Sequence, residues 1–163
     1  MVLGMSLATF TLVHVVISLV GIASGLIVMW QLVRNRALGL SNTIFLVTTI
    51  ATSVTGFLFP FNGVTPALAF GVISLVILAV ALFALFAGNL IGRWRWIYVV
   101  TAAMALYLNV FVAVVQSFQK VGRLRALAPT QSEPPFALAQ GAVLVLFVVI
   151  GIVAIRRFRP PTA

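Results

Sequence analysis

Acid is the scarcest commodity in this chain. Glu133 is the only acidic residue among 163, His14 is the only histidine, and there is no cysteine. Paired-carboxylate hydrolysis requires two acids. A structural zinc site requires four Cys, His or acid ligands. Both are excluded, as are disulfides, thiolate nucleophiles and thiolate-bound metals. Haem held by two histidines would need a second chain. No phosphate loop or dinucleotide fingerprint occurs, and no span carries the carboxylate on which proton-coupled transport usually depends. No catalytic residue, metal or cofactor is therefore expected.

Charge of either sign is scarce, at 7% of residues. A soluble domain carries roughly 25%, because its surface must be solvated. What is present is apolar, 63% of the chain, and it comes in long blocks. No charged residue occurs from Met1 to Val33, from Ala37 to Gly92, from Trp96 to Gln119 or from Pro134 to Ile155. About 20 apolar residues in a helix cross a hydrocarbon core about 30 Å thick. Inside lipid every backbone N–H and C=O must be paired, which leaves helices or closed barrels. Barrel strands alternate apolar and polar residues, and Val72 to Ala87 does not alternate.

The fold class expected is therefore all-α: one integral membrane helical bundle of five transmembrane helices spanning residues 1–163. The spans are placed at about 5–30, 41–59, 67–91, 96–118 and 136–155. Pro60, Asn62, Gly63 and Pro66 mark a tight turn between the second and third. The first span lacks a basic leader and is longer than a signal-peptide core, so it is expected to be retained. Running from the end of the fourth span into the connecting segment 119–135, Phe118, Val121, Leu124 and Leu127 recur every third residue. The fourth helix is thus expected to continue as an amphipathic surface stretch. Pro129, Pro134 and Pro135 then restrict the backbone, and Glu133 is expected to pair with a neighbouring arginine.

The net charge is +9, from ten Lys and Arg against one acid. In a soluble protein this balance suggests nucleic acid; here the cations flank spans and set topology. Arg34, Arg36, Arg93, Arg95, Arg156, Arg157 and Arg159 fall on one side, and Lys120, Arg123 and Arg125 on the other. The positive-inside bias gives N-out and C-in, with Trp30, Trp94 and Trp96 at the inner interface. No nucleic-acid partner is expected.

Thr52 to Pro66 (TSVTGFLFPFNGVTP), Arg93 to Ala102 (RWRWIYVVTA), Ala105 to Gln116 (ALYLNVFVAVVQ) and Leu127 to Phe136 (LAPTQSEPPF) are distinctive strings. They resemble a family of short bacterial polytopic integral membrane proteins, alike over nearly their whole length, with no assigned activity. The resemblance implies a multi-pass protein of the bacterial inner (cytoplasmic) membrane. Relatives of that kind often carry histidine at the positions of Asn62 and Leu68; this chain does not, so no metal or haem role transfers.

Function would show at polar groups inside the spans, since each is costly unless paired. His14, Ser18, Gly21 and Gly25 share one helical face, and the Gly21-x-x-x-Gly25 spacing permits close helix packing. Ala102, Ala105, Asn109, Ala113 and Gln116 form a second stripe, continued by Lys120. Thr48, Thr52 and Thr55 form a hydroxyl row, and Gly71, Ser74, Ala81 and Gly88 a small-residue side. Two readings stay open. In the first, the stripes are packing seams of a non-enzymatic protein, an accessory or structural subunit of a membrane complex or a homo-oligomer. In the second, His14, Thr52, Asn109 and Gln116 line an intrabundle pocket for a small hydrophobic ligand such as a quinone or lipid. The partners expected are the lipid bilayer and other membrane subunits or further copies of the chain.

Overall fold

The computed structural model describes residues 2–60 and 66–159. Six helices account for most of them: α1 (Leu7–Val33), α2 (Leu40–Gly56), α3 (Pro66–Leu82), α4 (Arg93–Lys120), α5 (Gly122–Leu127) and α6 (Pro134–Arg157). Among the described residues the only β feature is an isolated Val2–Met5 bridge. The all-helical expectation holds. The turn expected around Asn62 and Gly63 lies outside the described residues.

Local chemistry sets the ends. Ser6 caps α1, its hydroxyl oxygen accepting from the Thr9 N–H at 3.1 Å. The expected third span reads as helix to residue 91, but regular α-helix stops at Leu82 and one π turn, Phe83–Ala87, follows. Gly88 ends it with its N–H on the Phe83 carbonyl. A Cβ at Gly88 would sit 2.3 Å from the Trp94 ring, so only glycine lets the indole fold back here. Asn89, Leu90 and Gly92 then take positive φ, which turns the chain into α4.

The connection after α4 also differs from expectation. α4 stops at Lys120, and the amphipathic stretch is a separate short helix, α5. Pro134 and Pro135 occupy the first turn of α6, where a missing N–H costs nothing. They start a helix instead of only stiffening a loop.

α1 and α2 share the most extensive interface, while α4 packs on α1, α3 and α6. Gly21 and Gly25 make the first contact possible. A Cβ at Gly25 would lie 2.6 Å from Leu106 Cδ1 and 2.8 Å from the Phe45 ring; one at Gly21 would lie 3.1 Å from Thr48 Oγ1. The glycine seam is thus closed within the chain, by α2 and α4. The core occupies one half of the bundle, with Val28, Leu32, Phe45, Leu78, Tyr98 and Leu106 among its buried members.

The same end is tied by polar links. The Arg95 guanidinium donates to the Ile155 and Phe158 carbonyls at the close of α6. The Arg159 N–H donates to Asn35 Oδ1 at 2.6 Å, and Arg36 lies 4.8 Å over the Trp30 ring. Buried beneath, the Tyr98 hydroxyl donates to Asn42 Oδ1 across α2 and α4.

α1, α3 with its π turn, α4 and α6 are long and apolar enough to cross a membrane; α2, at 17 residues, is a shorter apolar helix. Large apolar side chains such as Leu12, Val16, Val76, Phe86, Leu138 and Val145 are exposed along these helices. Such a surface suits lipid, as in a multi-pass membrane protein.

Candidate ligand cavity

Away from the core, α1 to α4 part around a cavity of about 650 Å³. It reaches from Lys120 and Val121, at the end of α4, down to Leu108 and Asn109. Lys120 lies eleven residue steps along α4 from Asn109, a rise of about 16 Å.

His14, Thr52, Asn109 and Gln116 all line this one space, from α1, α2 and α4. Leu68, Phe70, Gly71 and Ser74 of α3 form another wall, and α6 contributes nothing to the lining. Gly71 admits the Phe57 ring, which a Cβ would meet at 2.8 Å. Gly21 and Gly25 lie outside the lining, on the seam beneath.

The polar groups differ in how far they are satisfied. His14 Nδ1 lies 2.7 Å from Thr55 Oγ1. The Thr55 hydroxyl spends its proton on the Ala51 carbonyl at 2.7 Å, so its oxygen accepts from Nδ1–H. In the neutral ring Nε2 is then the lone-pair acceptor. Phe59 packs edge-on against the imidazole at 5.2 Å between centroids. Asn109 Nδ2 donates to Thr49 Oγ1 at 3.3 Å, a long bond.

The threonine row separates into two kinds. Thr48 and Thr55 bond back to carbonyls of their own helix, as hydroxyls in apolar helices commonly do. Thr52 Oγ1 is buried and has no partner among the described residues. An unpaired buried hydroxyl costs about 1–3 kcal/mol, and this one stands in the cavity wall.

At the mouth, Lys120 is the only charged residue in the lining among the described residues. The connecting segment folds back beside it. Gln131 Nε2 donates to the Val115 carbonyl at 2.9 Å, Phe118 and Phe136 stack edge-on, and Ala128 is buried. Glu133 does not pair with an arginine. Its carboxylate accepts from the Thr130 N–H and hydroxyl and the Ser132 N–H. Desolvation pushes its pKa up, but those donors outweigh it and hold it below the usual carboxylate value. Its charge is therefore taken up within its own turn.

Sequence reasoning missed the Tyr98–Asn42 link and the Arg95 cap on α6. Asn42, one polar residue in an apolar run, was the available signal for the first; long-range carbonyl capping leaves none. Comparison with protein families, curated proteins and solved structures finds no match to this chain.

Proposed function

We propose that this chain is a non-enzymatic protein of the bacterial inner membrane that binds a small hydrophobic ligand in the α1–α4 cavity. One observation carries the reading: His14, Thr52, Asn109 and Gln116, distant in sequence, converge on one space, with the Thr52 hydroxyl unpaired among the described residues. The volume lies within the ~300–1,000 Å³ range of small-molecule sites. The lining is largely apolar with a few converging polar groups, the pattern of a binding site.

The accessory-subunit reading rested on small-residue seams, and Gly21 and Gly25 are consumed inside the chain. A quinone or a lipid both suit the cavity, since each pairs an apolar body with a polar head.

Five spans with N-out and C-in form part of this proposal. α2 rises only about 26 Å, slightly less than the ~30 Å core, a mismatch a bilayer absorbs at modest cost. Its buried residues run from Asn42 to Ser53, so α1 and its other neighbours flank it along its length. Arg34 and Arg36, Arg93 and Arg95, and Arg156 to Arg159 belong to segments joined at one end by the Arg95 and Arg159 contacts. That end is the one assigned to the cytoplasm.

Native mass spectrometry of the protein extracted gently from its membrane tests the reading. A monomer or homo-oligomer carrying one reproducible small mass is expected. His14→Ala with Asn109→Leu should lose that mass while the thermal transition survives. Retention of the mass in a folded double variant would refute the cavity assignment. Further polypeptides at fixed stoichiometry and no small mass would return the chain to the subunit reading.

A further inference from the structure

Resting on the cavity reading above, we infer that the occupant is an anionic single-chain amphiphile, carrying a carboxylate or phosphate head on an alkyl chain drawn from the surrounding leaflet. Three features of the same space converge on this class.

The first is charge. Among the described residues, Lys120 at the mouth is the only charged one in the lining, and no acid there opposes it. The single acid in the chain, Glu133, is bound by its own turn through Thr130 and Ser132. Arg123 and Arg125 follow Lys120 on α5. An anionic head at Lys120 thus meets unopposed positive charge, with the Gln116 amide beside it in the lining.

The second is depth. The cavity follows α4 for about 16 Å, close to half of a ~30 Å hydrocarbon core, which is the depth of one leaflet. Leu19, Ile22, Phe57, Phe70 and Leu108 flank the space an alkyl chain would fill. A head fixed at the surface with its chain pointing inward matches the ordering of a lipid monolayer.

The third is access. Val15 and Leu19 on α1, and Val112 and Gln116 on α4, line the cavity and are also exposed. The space is therefore open sideways between α1 and α4, toward the hydrocarbon. A chain enters through that gap without its methylenes crossing water.

Titration of purified protein with hexadecanoate, methyl hexadecanoate and decylubiquinone, read by native mass spectrometry at pH 8, tests the assignment. Hexadecanoate should bind one per chain and at least tenfold tighter than its ester. Lys120→Gln, at an exposed position, should cut hexadecanoate affinity to that of the ester and leave the ester unchanged. Val112→Trp, narrowing the α1–α4 gap, should weaken both. Equal wild-type affinity for acid and ester, or an unaltered Lys120→Gln variant, would overturn the anionic assignment. Decylubiquinone bound alone, and lost in His14→Ala with Asn109→Leu, would overturn it too while keeping the cavity as a site. No binding of any probe would remove both proposals.

Discussion

Tyr98 and Asn42 show how much a single polar contact matters where water is scarce. Hydrogen bonds between membrane helices average only about 0.6 kcal/mol, because the unfolded helices find other partners. Orphaning a buried acceptor is costlier, about 1–3 kcal/mol. Tyr98→Phe keeps the ring but leaves Asn42 Oδ1, in a residue 5% exposed, without its donor. Its expected cost lies in that higher range, measured by denaturant unfolding in detergent. Tyr98→Phe combined with Asn42→Leu should recover part of the loss, as coupled neighbours do. If the double variant is as unstable as the sum of the singles, the two groups act separately.

At the scale of elements, glycines of identical composition have opposite roles. Gly25 lies against Leu106 and the Phe45 ring, both fully buried, and an added methyl has nowhere to go. Gly25→Ala should destabilise the α1–α2 pair by about 1–3 kcal/mol, the usual cost of overpacking. Beyond its own helical turn, Gly141 in α6 has no described atom within 4 Å of where a Cβ would stand. Gly141→Ala should be neutral or stabilising by about 0.5–1 kcal/mol, since it only removes backbone freedom from a helix. Paired thermal melts of the two variants check the contrast.

The helical class was legible from the long apolar runs, whereas five spans were expected and four helices, α2 being shorter, are long and apolar enough to cross a membrane. The helix ends were less legible. The π turn at Phe83–Ala87 ends where Trp94 folds onto Gly88, a contact between residues six apart that periodicity does not encode. Pro134 and Pro135 carried the information for a helix start, yet the same residues also signal a break. The convergence of His14, Thr52, Asn109 and Gln116 could be anticipated, since polar groups in lipid turn inward. The free state of Thr52 could not, because its neighbours Thr48 and Thr55 carry the same side chain and bond to their own helix.

For the whole molecule, the two ends divide the labour. One end is a tied core, with Arg95 on α6, Asn35 on Arg159 and the Tyr98–Asn42 link. The other is the open cavity. The proposed orientation puts the tied end in the cytoplasm, and the absence of cysteine makes this simple to check. Ser132→Cys should react with a membrane-impermeant maleimide added to intact spheroplasts, and Arg36→Cys only after lysis. The reverse pattern would invert the topology.

The cavity draws its walls from α1, α2, α3 and α4 and none from α6. During synthesis, the first three helices can enter the bilayer as a scaffold with one side unwalled. On the proposed reading, the site is complete only when the stretch from Asn109 to Lys120 leaves the ribosome and closes the cavity wall. The last helix packs on α4 and α1 and adds nothing to the cavity wall, so that site would not wait for it.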